Sequence, residues 1–496
     1  MRREHIIPPG SLAERICALF GVRGMRAWLV GGYVRDRLLG RISHDLDLVV
    51  PFGGLALARR VADRLGGAFY ALDEERDTGR AILSNDDGQV VVDVARWRSG
   101  DLSTDLTARD FTVNALAYDI VGHGGIIDPT GGLADLREGI LRAPSPTAFR
   151  DDPIRLLRAV RLEAQLDFSI EPQTLAWLQQ DAPLVAWVAA ERVRDELMRL
   201  LILPGVARCL VRLDELGLLP FVLPELAQCR GVMQSEPHYL DVYGHTLQTV
   251  FHTEALLRAL NLLPGIGRKV MDSPLSVVPP ALVPFADRLR THLAGETSAG
   301  RNRAQMLLWA ALSHDWGKPL TRSVEEGRVR FFTHDEKGAE LVAGRLRMLA
   351  FSTDEIRLVS TIVRHHMRPS LLAREGVLTR RAIYRFFRDT GDVGPEVLLL
   401  SLADRLGTYG PYLGDDAWEE RLQFIARMLA AYYEQPEIVS PLPLVSGDDL
   451  ITALALAPGP LIGQLLAQVR EAQAAGEVTT CEEALALARR AAYGNR

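Results

Sequence analysis

The chain has 496 residues, 48% of them hydrophobic and 24% charged, with a formal net charge of −6. That composition belongs to a folded protein too long for one ordinary core, and it excludes a uniformly basic nucleic-acid binder, so any RNA contact has to come from a local basic surface. Cys17, Cys209, Cys229 and Cys481 are far apart and form no paired-ligand spacing, which argues against zinc and against a disulfide framework.

The N-terminus lacks the apolar core of a signal peptide, and no unbroken apolar run is long enough to span a bilayer, so a cytoplasmic, non-membrane protein is expected. In the first 148 residues, β-rich runs at 27–30, 46–50, 81–83, 90–94 and 116–120 alternate with helical stretches such as 55–65. Helical periodicity dominates from there on. The expected fold class is α+β: a small α/β head (1–148), a helical neck (149–215), a helical body (216–410) and a helical tail (411–496). Pro264, Pro274, Pro279, Pro280 and Pro284 mark residues 264–303 as an inserted loop within the body.

The apolar run at 27–30 stops at Gly31-Gly32, after which Val34, Leu38 and Leu39 fall at helical spacing, predicting strand, glycine turn and helix. Glycines there let backbone N–H groups approach a phosphate, and Arg35 in the first helical turn adds a forked guanidinium. Asp45 and Asp47 lie two apart at the start of the next strand and so point to one face. Paired carboxylates next to a phosphate cradle suit Mg2+, which points to nucleotidyl transfer.

Farther on, Arg109-Asp110-Phe111-Thr112-Val113-Asn114-Ala115 precedes a strand, and Asp151-Asp152-Pro153-Ile154-Arg155 opens a helix with Asp152 as the expected N-cap. Arg155, Arg158 and Arg161 recur at a spacing of three along one side of it. Cytosine and adenine each offer an amino donor beside a ring-nitrogen acceptor, so Asp152 beside Arg155 would accept CTP and ATP and leave unpaired groups against UTP and GTP. Each unpaired buried group costs on the order of 1 to 3 kcal/mol.

These motifs, with Gly31-Gly32-Tyr33-Val34-Arg35-Asp36, Asp45-Leu46-Asp47 and Glu191-Arg192-Val193-Arg194-Asp195-Glu196, resemble class II tRNA nucleotidyltransferases, the CCA-adding enzymes and their poly(A) polymerase relatives. The resemblance implies metal binding by Asp45 and Asp47, triphosphate or ribose contact by Gly32, Arg35 and Arg109, base selection by Asp152 and Arg155, and phosphate or RNA contact by Arg158 and Arg161. It also implies that residues 72–80, with Arg76 and Arg80, form a mobile loop that helps switch from cytidine to adenosine addition. Two positions depart from the family pattern: Ala108, where a second arginine is usual, and Asp151, where glutamate is commoner.

A third constellation gathers His245, His314-Asp315, His334, Arg364-His365-His366 and Asp404 in a chain with only 11 histidines. Imidazole with carboxylate suits one or two divalent ions of unspecified identity that activate water. The pattern resembles the HD phosphohydrolase superfamily: His245, His314, Asp315 and Asp404 match its four core ligands, and His334 with His365 or His366 the extra ligands of two-metal members. In related CCA-adding enzymes such a domain acts on 2′ or 2′,3′ phosphates, and Lys318 is placed to meet a phosphate.

The expected function is Mg2+-dependent addition of CMP and AMP to tRNA 3′ ends from CTP and ATP, without DNA or membrane partners. The alternatives are a CC-adding, A-adding or poly(A)-adding enzyme, and an HD phosphohydrolase with an RNA-binding head.

Overall fold

The computed structural model describes residues 6–21, 25–85, 88–98, 100–121, 124–264, 272–298 and 300–494. Seven strands, β1 (Trp28–Val30), β2 (Asp45–Val50), β3 (Ala68–Asp73), β4 (Thr78–Asn85), β5 (Gly88–Arg96), β6 (Ala117–Asp119) and β7 (Ile126–Ile127), form one sheet. Their order is β3-β4-β5-β2-β1-β6-β7. β2 and β5 run parallel, and the other pairs are antiparallel.

A parallel pair needs a long crossover, and here it contains a helix after β2 and the β3–β4 hairpin. Helix α1 (Gly32–Leu38) follows β1, and α2 (Gly54–Leu65) follows β2 with Ala58, Val61 and Ala62 buried at helical spacing. The strand alternation decides where the chemistry goes. Asp47 is registered with Val30, and Val49 with Trp28, so the face of β2 that begins with carboxylates continues into the apolar cluster of Trp28, Val30, Val49, Leu106, Ala115 and Ala117.

Residues 72–80 form the tip of the β3–β4 hairpin, where a mobile loop was expected. Asp77 takes φ 50° there and accepts the backbone N–H groups of Gly53 and Leu55 at 2.7 and 2.9 Å, which fastens the turn to the start of α2.

The chain packs as two compact units that divide after Val188, the first also taking in Leu216–Leu218. The first unit thus holds the expected head together with the first part of the expected neck. The reason is local: β8 (Ile140–Leu141) pairs in parallel with β9 (Ser169–Ile170), closing α3 (Arg155–Leu166) against the head-side chain.

The second unit is helical, with α4 (Val242–Ala259), α5 (Arg303–Ser313), α6 (His334–Met348), α7 (Thr353–His365) and α8 (Gly394–Tyr409) at its centre. The stretch 264–303, expected as a loop, is partly ordered secondary structure: a 3-10 turn at Pro280–Phe285, a helix at Ala286–Leu293 and the hairpin β10 (Glu296–Ser298) and β11 (Arg301–Asn302). The prolines mark its turns, while Leu282, Phe285, Leu289 and Leu293 supply the apolar face that holds it down. Residues 265–271 and 299 of that stretch lie outside the described residues. Near the end, Gly447–Leu454, Pro460–Ala475 and Cys481–Tyr493 enclose a small core of their own, built on Leu450, Leu465 and Val469.

All four cysteines are free thiols, as their spacing implied. Among the described residues, no helix is long and apolar enough to cross a membrane.

Candidate active site and metal centre

The β2–β5 register puts Asp47 opposite Asp93, and the β4–β5 register puts Asp93 opposite Arg80. Arg80 grips Asp93 with two hydrogen bonds of 2.8 Å. Asp45 is exposed at the head of this row, and Asp47 and Asp93 are half-buried. Burial pushes the Asp47 carboxyl up to about 6, with Arg109 pulling it down and Asp93 and Asp45 adding to the rise. Carboxylates brought this close together on one face are chemically matched to a divalent cation such as Mg2+. Asp93 was missed in the sequence reading, although a lone carboxylate within Val90-Val91-Val92-Asp93-Val94 is the signal a strand offers.

Gly31 brings the turn to this row. Its φ of 70° is in the region that disfavours any side chain, and a Cβ there would stand 3.0 Å from Arg109 Nη1 and 3.3 Å from Asp47 Oδ2. Arg109 is steadied by Asp105 at 3.3 Å, and its Nε is buried without a partner.

The other sequence-predicted residues divide between site and scaffold. Gly32 opens the seven-residue α1, but Arg35 turns inward, giving Nη1 to Asn114 Oδ1 at 2.6 Å and Nε to Asp36 at 2.8 Å. Asn114 in turn donates to Asp110, whose carboxyl the nearby arginines Arg158 and Arg155 help hold below its ordinary range despite burial. Arg158 pairs with Asp110 at 3.1 Å, and Arg161 bonds Gln165.

Asp152 does not cap α3. It has an extended backbone after a short helix at Ala148–Asp151, its carbonyl takes the Arg155 N–H at 3.1 Å, and Ile154 precedes the first full turn. Arg155 is buried and donates to the carbonyls of Ala148 and Ala108 at 3.1 and 2.7 Å, so its fork is fixed by backbone. A carbonyl serves that role whatever side chain stands at position 108, which accommodates the alanine there.

In the second unit, His245 comes from α4, His314 and Asp315 follow α5, His334 opens α6, His366 caps α7 and Asp404 lies on α8. Two groups share Asp315: His245, His314 and Asp315, and Asp315, His334 and His366. The Nε2 atoms of His245 and His314 are 3.1 Å apart, and those of His334 and His366 3.3 Å. His245 lies 3.3 Å from Asp315 Oδ2 and 3.1 Å from Asp404 Oδ1.

The histidine tautomers follow from the backbone. Nδ1 of His314, His334 and His366 lies 2.9, 2.7 and 2.6 Å from the carbonyls of Ala311, Phe331 and Val363, which only accept, so Nδ1 carries the proton and Nε2 turns a lone pair inward. Facing lone pairs repel unless a cation lies between them. Neither Asp315 oxygen accepts a hydrogen bond, although Lys318 Nζ is 2.6 Å from Oδ2. Burial alone would lower His245, but the carboxylates of Asp315 and Asp404 at 3.3 and 3.1 Å overcome that and raise it to about 9, while burial takes His366 down to about 4. The donor set, with the Asp315 carboxylate at its centre shared by both groups, thus fits one or two divalent ions.

Gly317 permits the tight turn after Asp315, because any side chain there would run into the His334 carbonyl. His365, expected as a possible ligand beside His366, is outside both groups; the preceding position on α7 turns it away, toward Arg368 and Asp389.

Comparison with known proteins gives this geometry a context. The poly A polymerase head domain model matches residues 27–142, a probable RNA- and SrmB-binding site of polymerase A matches 167–229, the HD domain matches 242–409, and a putative tRNA nucleotidyltransferase domain 2 matches 331–488. An A-adding tRNA nucleotidyltransferase of Deinococcus radiodurans is 36% identical over 474 residues, 94% of this chain and 95% of the relative. The chain belongs to the tRNA nucleotidyltransferase family. This enzyme is also 36% identical to a CC-adding tRNA nucleotidyltransferase of Thermus thermophilus, over 93% of its own length and 92% of the relative. The Thermotoga maritima CCA-adding enzyme complexed with tRNA shares its fold at a TM-score of 0.57 and 19% identity, over 99% of this chain and 98% of that one.

Proposed function

We propose that the enzyme adds cytidylate and adenylate to tRNA 3′ ends from CTP and ATP with Mg2+, and that its His and Asp cluster is a separate phosphohydrolase centre. The observation that carries the first part is the row of Asp45, Asp47 and Asp93 beside Arg109 at the Gly31 turn. The tRNA 3′ oxygen bonds to the α-phosphorus of the nucleotide, and pyrophosphate leaves. Bound Mg2+ supplies charge neutralisation and a more acidic hydroxyl. Asp45 and Asp47 would hold the ion, Arg80 fixes Asp93 in line with them, and Arg109, whose Nη1 faces the Gly31 turn, would meet triphosphate oxygens.

Asp152 and Arg155 select the base. Arg155 is locked by two carbonyls, so its remaining donors have one direction, which supports recognition by a fixed hydrogen-bond pattern. Arg158 and Arg161 extend the same helix face toward RNA phosphates. In the body, the ligands are His245, His314, Asp315, His334, His366 and Asp404.

A second reading, addition of only CC or only A, has a specific support: relatives matching more than nine tenths of this chain carry the names A-adding and CC-adding tRNA nucleotidyltransferase. The test is incubation with tRNAs ending at the discriminator base, at C or at CC, with each labelled triphosphate. Incorporation at all three stages identifies a complete CCA-adding enzyme, and incorporation at a subset identifies a partial one. If neither CTP nor ATP is incorporated with Mg2+, the polymerase reading is wrong.

A further inference from the structure

The rungs that align the carboxylates of the head continue past them to an exposed aromatic ring. Asp47 is registered with Asp93, Asp93 with Arg80 and Arg80 with Tyr70, so these four side chains stand in one row on one face of β2, β5, β4 and β3. Helix α2 covers the other face. A side chain at Gly79 would run into Leu55 and Ala58 of α2 and into Phe69, and Arg59 of that helix lies 4.3 Å over the Phe69 ring. Tyr70 follows Phe69 and so points the opposite way, where it is 52% exposed; Ala68, on the same side, is exposed as well. Arg80 and Asp93 are paired with each other, which leaves the tyrosine ring as the open end of the row.

The row also has a direction. The Gly31 turn and Arg109, which on the nucleotidyl-transfer reading meet the triphosphate, follow or adjoin β1, and β1 pairs with the edge of β2 that β5 does not use. In an in-line displacement the attacking oxygen and the leaving pyrophosphate lie on opposite sides of the phosphorus. The RNA end that attacks therefore comes from the β5 side, over Asp93 and Arg80. Three strand spacings of about 4.8 Å put Tyr70 about 14 Å from Asp47, a span that a few nucleotides of single strand cover.

We propose that Tyr70 is a platform on which an unpaired base of the RNA acceptor stacks while the acceptor's 3′ end lies at Asp45 and Asp47. This rests on the reading of the carboxylate row as the site of nucleotidyl transfer. Each addition moves the RNA back by one nucleotide, so the base over the ring changes from step to step. Stacking tolerates that change because every base has a π-face.

The test uses the full chain with Mg2+, CTP and ATP, and tRNA acceptors that are intact or carry one abasic nucleotide at a position scanned back from the 3′ end. With Tyr70→Ala, KM for the intact acceptor rises about tenfold, kcat and the KM values for CTP and ATP stay within about twofold, and Tyr70→Phe restores the acceptor KM. At one abasic position the unaltered enzyme loses the same factor and Tyr70→Ala loses nothing further, a coupling that a merely structural role of the ring does not produce. Equilibrium binding of the same RNAs without triphosphate, which needs no turnover, follows the same pattern. An unchanged acceptor KM and affinity in Tyr70→Ala overturns the platform and leaves the transfer reading standing, and so does a rise confined to the KM for the triphosphates. If the unaltered enzyme adds no nucleotide, the transfer reading falls, and binding alone decides the platform: coupling between Tyr70 and one abasic position upholds it, and no coupling at any position removes it.

Discussion

The two candidate metal-binding regions are built on opposite plans. In the head, Asp45, Asp47 and Asp93 sit on adjacent strands, partly open to solvent, balanced by Arg80 and Arg109. In the body, six candidate ligand residues arrive from or beside five helices spread over some 160 positions, with Nδ1 of His314, His334 and His366 tied to backbone carbonyls and only His334 and Asp404 more than 1% exposed. An open row leaves coordination positions for the phosphates of a substrate that comes and goes, whereas a mostly buried cluster supplied by several helices is suited to keeping an ion between turnovers.

The largest effect that separates the two follows from Asp47→Ala. Losing a carboxylate that holds a catalytic ion removes several kcal/mol of transition-state stabilisation, so labelled CMP and AMP incorporation should fall by about a thousandfold or more while phosphate-ester hydrolysis stays within about twofold. Asp315→Ala should do the reverse. It breaks both ligand groups and takes the carboxylate partner from buried Lys318, costing about 3–5 kcal/mol of stability in the second unit. Elemental analysis should then find no ion retained after dialysis, hydrolysis should be absent, and incorporation should persist at low temperature. Loss of both activities in either variant would contradict separate sites.

A smaller effect tests the turn. Gly31→Ala forces a side chain into φ 70° and toward Arg109 and Asp47, at about 1–2 kcal/mol of backbone strain, and should slow addition about tenfold with little change in hydrolysis. Smallest is a pH effect. The Asp47 carboxyl is raised to about 6, so its ionised form is disfavoured in the empty head: Mg2+ affinity should decline as pH falls below about 6. By the same sign, the metal-free fold should lose a little stability as pH rises from the ordinary carboxylate range through 6, and Asp47→Asn should abolish that loss in thermal scans.

The contrast also explains what the sequence disclosed. Asp45 and Asp47 were legible because strand alternation is a local rule, and the first strands fell close to where they were expected. Asp93 escaped because its partner is fixed by a parallel register across the crossover, which no local pattern encodes. Arg35 and Asp152 carried readable motifs whose hydrogen-bond partners were not readable: Asn114 lies 79 residues from Arg35, and the cap expected at Asp152 lost to a tighter first turn. Among the histidines, spacing alone left His365 and His366 equal, and only the rotation of α7 at its end separates them. The insertion at 264–303 was misread because proline density hid the apolar spacing of Leu282, Phe285, Leu289 and Leu293.

The two-residue ladder between Ile140–Leu141 and Ser169–Ile170 bears on how such enzymes can be recombined. A chimera that exchanged heads with a relative at residue 148 would leave one strand of that ladder in each parent, with Arg155 seeking carbonyls at Ala148 and Ala108 from a foreign backbone. A joint just after Val188 carries ladder, arginine and carboxylate row across as one heritable module, and is where a graft of nucleotide preference should be cut.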